Sequence, residues 1–116
     1  MIVREVTDTA LVPAYGTLVQ QIYPDGGEDL ADWGVGRAVV EPHTRTASHA
    51  HDEHELFIVT RGSGTMTIGD EKACVRAGQA VLIPAGSPHT FANDESRTRL
   101  EFFNVYWPPS YGAIEL

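Results

Sequence analysis

The residues best suited to chemistry in this sequence lie in the stretch SHAHDEHELFIVTRG, from 48 to 62. It carries His49, His51, His54 and Glu55 just before an apolar run. Side chains alternate in an extended strand, so His49, His51 and Glu55 project to one side and His54 to the other. Imidazole and carboxylate are ligands for Fe(II), Mn(II), Ni(II), Cu(II) and Zn(II), and a set on one face leaves coordination positions open. The stretch predicts a metal site, the alternative being a solvated charge cluster.

A second stretch, GQAVLIPAGSPHTFAN from 78 to 93, offers a further imidazole. Its apolar first half reads as a buried strand that ends at Pro84, and His89 follows a turn stiffened by Pro84 and Gly86. A side chain held after such a turn can be aimed at a site on a neighbouring strand. The stretch thus offers a fourth imidazole after a rigid turn.

Together the two stretches resemble the paired motifs of the cupin superfamily. The first motif reads Gly, five residues, His-x-His, three or four residues, Glu, six residues, Gly, and it is matched by His49, His51, Glu55 and Gly62. The second reads Gly, five residues, Pro-x-Gly, two residues, His, three residues, Asn, and it is matched by Gly78, Pro84, Gly86, His89 and Asn93. One position departs, because His43 stands where the family has its opening Gly. This departure puts the shape of the local loop in doubt but not the ligand set.

The resemblance implies an all-β fold, a double-stranded β-helix or jelly-roll barrel with few or no helices. It also implies one divalent transition metal ion per chain, whether Fe, Mn, Ni, Cu or Zn, bound inside one end of the barrel by His49, His51, Glu55 and His89. Cupins include dioxygenases, isomerases, epimerases, decarboxylases and lyases, and a shared fold does not select among them.

Three histidines and one glutamate suit Fe(II), so we expect a metal-dependent enzyme that acts on a small organic molecule, with oxygenase chemistry favoured. Isomerase, lyase and decarboxylase chemistry are close behind. The alternative from another class is a non-catalytic cupin module that binds a metal or a small ligand as a sensor.

The rest of the chain reads as the strands needed to hold such a site. Short β-rich runs bounded by Gly, Pro, Asp and Asn recur, and no stretch has a convincing helical period. A Gly69-Asp70 turn predicts an antiparallel hairpin. We predict strands at 17–23, 36–40, 55–60, 64–68, 72–76, 80–83, 90–92 and 99–106.

With 116 residues the chain is expected to form one domain. We divide it into an N-terminal strand arm of about 1–34, a barrel of about 35–106 and a C-terminal tail of 107–116. The aromatic tail is expected to dock on the body as a lid or at a subunit interface.

Substrate-binding residues are harder to predict than metal ligands. Phe57 and Phe91 share strand parity with the ligands and are expected to line the cavity, the alternative being simple core packing. Arg37, on the strand before the first motif, is a candidate for a bidentate grip on a substrate carboxylate, and a surface arginine is the alternative. His54 is expected to be exposed or to face another subunit.

Charge and composition restrict the partners. A formal charge of −8, with eight scattered Lys and Arg, repels phosphate polymers and anionic membranes. We therefore expect a small-molecule ligand, no nucleic acid and no membrane. One cysteine, Cys74, and charges at Arg4, Glu5 and Asp8 make the cytoplasm the expected compartment. Apolar area on the 17–23 strand and the tail predicts a homodimer.

Overall fold

Nine β-strands and one short 3-10 helix form the regular structure of the described residues, which are 1–94, 97–108 and 116 of a computed structural model. The 3-10 helix spans Asp8–Ala10. The strands are β1 (Val12–Ala14), β2 (Thr17–Tyr23), β3 (Gly34–Val40), β4 (His54–Arg61), β5 (Ser63–Ile68), β6 (Glu71–Arg76), β7 (Ala80–Ile83), β8 (His89–Ala92) and β9 (Leu100–Trp107). The all-β prediction is confirmed, and each predicted strand is present within two residues of its expected ends. Strand β1, only three residues long and containing Pro13, was not predicted.

The strands form two antiparallel sheets that face each other. The larger sheet has the order β1-β2-β3-β9-β4-β7, and the smaller has the order β6-β5-β8. Strands distant in sequence are neighbours, as when β9 lies between β3 and β4, and this arrangement is consistent with the jelly roll. No helix among the described residues has the length and apolar character needed to span a membrane.

Aromatic rings from both sheets fill the space between them. Phe57 of β4 stacks on Phe102 of β9 with ring centroids 4.4 Å apart, and Phe91 of β8 lies 5.3 Å from Phe102. All three side chains are fully buried. Such ring pairs contribute about 0.5–1.5 kcal/mol each beyond the area they bury. They form the floor beneath the polar residues at one end of the barrel.

Two glycines of β3 make room for polar side chains of β9. A Cβ added at Gly34 would lie within 2.7 Å of three atoms of the Tyr106 side chain, and one at Gly36 would lie 2.7 Å from Asn104 Oδ1. Tyr106 and Asn104 are both buried, so they occupy the interior space that larger residues on β3 would take. The glycines thus allow β9 to carry an amide and a phenol inside the barrel.

Candidate metal centre

Three imidazole rings meet at one end of the barrel. His49 and His51 lie in the segment before β4, and His89 begins β8; an isolated bridge pairs His49 with His89. One nitrogen of each ring lies within 4.8 Å of the other two. The structure thus brings together all three predicted histidine ligands, in a group that could hold a metal ion.

Main-chain carbonyl groups set the tautomer of every ring in this group. Each Nδ1 donates to a carbonyl oxygen two residues away: Ala47 for His49 (2.7 Å), Glu53 for His51 (3.0 Å) and Ser87 for His89 (2.9 Å). A carbonyl only accepts, so Nδ1 must carry the proton and a neutral ring has its lone pair on Nε2. This is the arrangement by which proteins present Nε2 to a metal.

Glu55, the fourth predicted ligand, lies beside two of the three rings. Its side chain is fully buried, and Oε1 lies 2.7 Å from His51 Nε2 and 3.4 Å from His89 Nε2. Burial opposes ionisation, but hydrogen bonds from His51 and His89 outweigh it and hold the pKa of the Glu55 carboxyl below its usual range. Glu55 is therefore an ionised acceptor at neutral pH.

Hydrogen bonds at this site favour the protonated form of His89. Burial disfavours the cation, yet hydrogen bonds to Glu55 and to main-chain oxygens of Ser87 and Leu116 raise the pKa of His89 above its usual value. Leu116 O lies 2.9 Å from His89 Nε2. A metal ion held by His89 would take the place of this proton, so metal binding would release it.

One buried nitrogen without a hydrogen-bond partner indicates whether these residues are suited to bind a cation. His49 Nε2 is buried and has no hydrogen-bond partner within the described part of the chain. A buried polar atom without a partner costs about 1–3 kcal/mol. Coordination to a metal would satisfy this lone pair, so the donor set fits a divalent transition metal.

The β1–β2 hairpin holds His49 in place. Its two-residue turn, Tyr15 and Gly16, has φ angles of 55° and 76°, the geometry that closes tight hairpins. Tyr15 O accepts a hydrogen bond from Ala47 N at 2.7 Å, and the Tyr15 ring stacks on His49 with centroids 5.0 Å apart. Sequence reasoning missed Tyr15; the signal was a Tyr-Gly pair directly before a strand.

Asn104 is a second residue that sequence reasoning missed. Its Nδ2 donates to Glu55 Oε2 at 3.3 Å, so both oxygens of the carboxylate have partners. Nothing local in the 100–107 sequence distinguishes this amide, because its contact depends on β9 lying next to β4.

The walls next to the donors are apolar. Ile68 pairs with His89 across the smaller sheet, and Ile83 pairs with Glu55 across the larger one. Phe57 meets the His89 ring edge-on with centroids 6.2 Å apart, and Leu116 is buried in the same core cluster. Phe91 packs behind Phe57, with centroids 6.1 Å apart. Contact of Phe57 and Phe91 with a substrate stays a prediction.

Arg37 is not brought to the histidines. It lies on the outer face of β3 and pairs with Glu101 at 2.5 Å and Asp8 at 3.1 Å, whereas its neighbour Ala38 faces the core. Arg37 therefore matches the alternative interpretation, that of a surface arginine. His54 is exposed, as expected, and its Nδ1 accepts a hydrogen bond from Ala85 N at 2.9 Å.

His43, at the position where the motif departs, adopts a backbone conformation that glycine favours. Its φ is 62°, and its N–H donates to Asn93 O at 2.9 Å. Asn93 Nδ2 in turn donates to Val40 O at 2.9 Å and Thr98 O at 3.0 Å. The end of the second motif is thus tied to the start of the first.

Comparison with known proteins agrees with this architecture. The model of a family described as "Cupin domain" matches residues 36–106. Over 105 residues the chain is 31% identical to the dimethylsulfoniopropionate lyase DddW of Ruegeria pomeroyi, covering 89% of this chain and 67% of the lyase. A shorter match, 34% identical over 58 residues, covers 49% of the chain and 17% of the quercetin 2,3-dioxygenase of Bacillus subtilis.

Among solved structures, the plu4264 protein of Photorhabdus luminescens superposes with a TM-score of 0.82 at 29% identity, covering 92% of this chain and 88% of that protein. Two other curated relatives are matched over 48% and 44% of their own length, so the chain spans about half of each.

Proposed function

The chain belongs to the cupin domain family, and from that membership we propose that it is a single cupin domain that binds one divalent transition metal ion and acts with it on a small organic molecule. The proposed ligands are His49, His51, His89 and Glu55. The observation that carries the proposal is the convergence of three imidazole nitrogens within 4.8 Å, with His49 Nε2 buried and unpartnered in the described structure.

A bound metal ion supplies either Lewis-acid polarisation of a substrate oxygen or, for a redox metal, activation of dioxygen. The chain's own residues present Nε2 in the correct tautomer, hold the Glu55 carboxylate beside the rings and surround the site with apolar side chains that exclude water. We favour oxygenase chemistry because three histidines and one carboxylate suit Fe(II).

The relatives support both the leading candidate and its rivals. DddW is named as a lyase and the Bacillus protein as a dioxygenase, so elimination chemistry stays close behind oxygenation, as do isomerisation and decarboxylation. The candidate from another class is a sensor that binds its ligand without turnover. Product formation separates the two classes, because an enzyme loses product when His89 is replaced by Ala.

Metal analysis tests the proposal directly. Protein purified without added metal should contain about one equivalent of a first-row transition metal, and His49→Ala with His51→Ala should remove it. His54→Ala is the matched control, since this exposed histidine lies outside the group and its loss should leave the metal content unchanged. Iron in the parent protein favours oxygen chemistry. A parent protein with no affinity for any of the five candidate ions contradicts the proposal.

We also propose that the protein is a cytoplasmic homodimer. Support comes from the outer face of the larger sheet, where Ile58 and Leu82 are 40% and 67% exposed, and from β7, which forms the edge of that sheet. Sedimentation velocity at micromolar concentration should show a dimer, and a monomer throughout that range contradicts this assignment.

A further inference from the structure

No permanently charged cation of the chain faces the histidine group. All eight Lys and Arg lie in the described part of the chain, and 95–96 and 109–115 contain none. Four of them are ion-paired with carboxylates: Arg4, Arg37, Arg61 and Arg99. The other four are exposed: Arg45, Lys72, Arg76 and Arg97.

Arg45 is the basic residue nearest in sequence to the ligands, but it faces outward. It pairs with Ala92 across an isolated bridge, whereas the inward-facing residue of β8 at this level is Phe91. Together with Gly16, Ser48 and Thr90 it lines a separate outer cleft of about 390 Å³. A ligand held at the histidines therefore meets no arginine or lysine of this chain.

The charge of the loaded site follows from its donors. A divalent cation with three neutral imidazoles and one ionised Glu55 leaves a single excess positive charge. Glu53 lies outside this donor set, because its Oε2 is 3.3 Å from His51 Nδ1 while Glu55 is at Nε2, and its negative charge further disfavours a second anionic group on a ligand. One anionic group on a ligand balances the charge of the metal and its donors. A second anionic group would face the apolar walls formed by Phe57 and Ile68.

From this charge pattern we infer the ligand class of the site: a small molecule with one anionic oxygen group, such as a carboxylate, enolate or phenolate, and a neutral, apolar remainder. Dicarboxylates and phosphorylated compounds are disfavoured, because a second buried charge without a partner costs several kcal/mol. The inference rests on the proposed metal centre, which supplies the cation that the chain does not.

A matched pair of ligands tests the inference on the whole protein loaded with Co(II). 2-Oxopentanoate and 2-oxoglutarate have the same number of carbons and differ by a methyl group in place of a second carboxylate. Dissociation constants are measured by calorimetry and by the visible absorption of Co(II). We expect 2-oxopentanoate to bind at least about tenfold more tightly than 2-oxoglutarate.

Substitutions locate the source of the preference. Ile68→Lys puts a cation opposite His89 and should bring the two constants closer together, whereas Ile68→Met should leave their ratio unchanged. Arg37→Gln should change neither constant, because Arg37 lies on the outer face.

Cobalt uptake is measured first, so that two failures are distinguished. No bound Co(II) overturns the metal centre and this ligand class with it. If Co(II) binds, two results overturn the ligand class alone. One is that 2-oxoglutarate binds as tightly as 2-oxopentanoate, and the other is that neither ligand perturbs the Co(II) spectrum at millimolar concentration.

Discussion

Replacing Gly36 by Ala should destabilise the protein through the side chain that this glycine accommodates. The new Cβ would lie 2.7 Å from Asn104 Oδ1 and 2.9 Å from Gln20 O. Gln20 O belongs to the main chain of β2, which is paired with β3 and does not move independently. Asn104 must therefore turn away, and its hydrogen bond to Glu55 is lost.

The cost of Gly36→Ala can be assembled from these contacts. Overpacking of a filled interior costs about 1–3 kcal/mol, and a buried amide left without its hydrogen bond costs about 1–3 kcal/mol. Alanine recovers about 0.5–1 kcal/mol because it restricts the unfolded chain more than glycine does. The midpoints of these ranges give a net loss of about 3 kcal/mol, which for a domain of this size lowers Tm by about 10 °C.

A double-mutant cycle measured by urea unfolding separates this mechanism from a general effect of the substitution. In an Asn104→Ala background the clash with Oδ1 is absent, so Gly36→Ala should cost at least about 1 kcal/mol less than in the parent protein. Gly26→Ala is the control, because its Cβ would meet chiefly the flexible end of Glu28 and should cost almost nothing. Additive costs, or equal costs at Gly26 and Gly36, would refute the reasoning.

Two further predictions concern the donors themselves. Tyr15→Ala removes the ring stacked on His49 and should weaken metal binding about tenfold, as measured by calorimetry. Tyr15→Phe keeps the ring and should keep the metal affinity. An equal loss of affinity in both variants argues against positioning of His49 by the ring. In metal-free protein the pKa of Glu55 lies below its usual 4.5 and that of His89 above its usual 6.5. The stabilisation of the folded state by these two groups is therefore fully present between pH 4.5 and pH 6.5. It is lost as the pH falls through the folded-state pKa of Glu55 or rises through the folded-state pKa of His89. Urea midpoints of chelator-treated protein should therefore peak at mildly acidic pH, and a midpoint that climbs steadily to pH 9 contradicts this coupling.

Local patterns were sufficient to predict most of the strands and the histidine group. Alternation along an extended segment predicted His49 and His51 on one side, and the turn after Pro84 predicted a position for His89, because both effects act within a few residues; the two histidines lie in the segment before β4, not in a strand. The same alternation applied to Arg37 required knowing which face of β3 is buried. The run GVGRAVV has apolar residues on both faces and does not indicate this, so Arg37 was left both as a candidate for substrate binding and as a surface arginine.

Contacts between distant segments could not be predicted in this way. Tyr15 reaches His49 because the β1–β2 hairpin folds over the segment before β4, and Asn104 reaches Glu55 because β9 inserts between β3 and β4. The order of strands in a sheet depends on the whole chain. Most of the tail that was expected to dock on the body, residues 109–115, lies outside the described residues.

The hydrogen bonds that orient the three rings have a consequence for how the site tolerates mutation. The acceptors at Ala47, Glu53 and Ser87 are main-chain atoms, so no exchange of side chain at these positions removes them. The tautomer that presents Nε2 to a cation is therefore fixed by the conformation of the main chain. The side chains at those three positions can therefore change, for example in size or charge, without loss of the hydrogen bonds that orient the metal-binding rings.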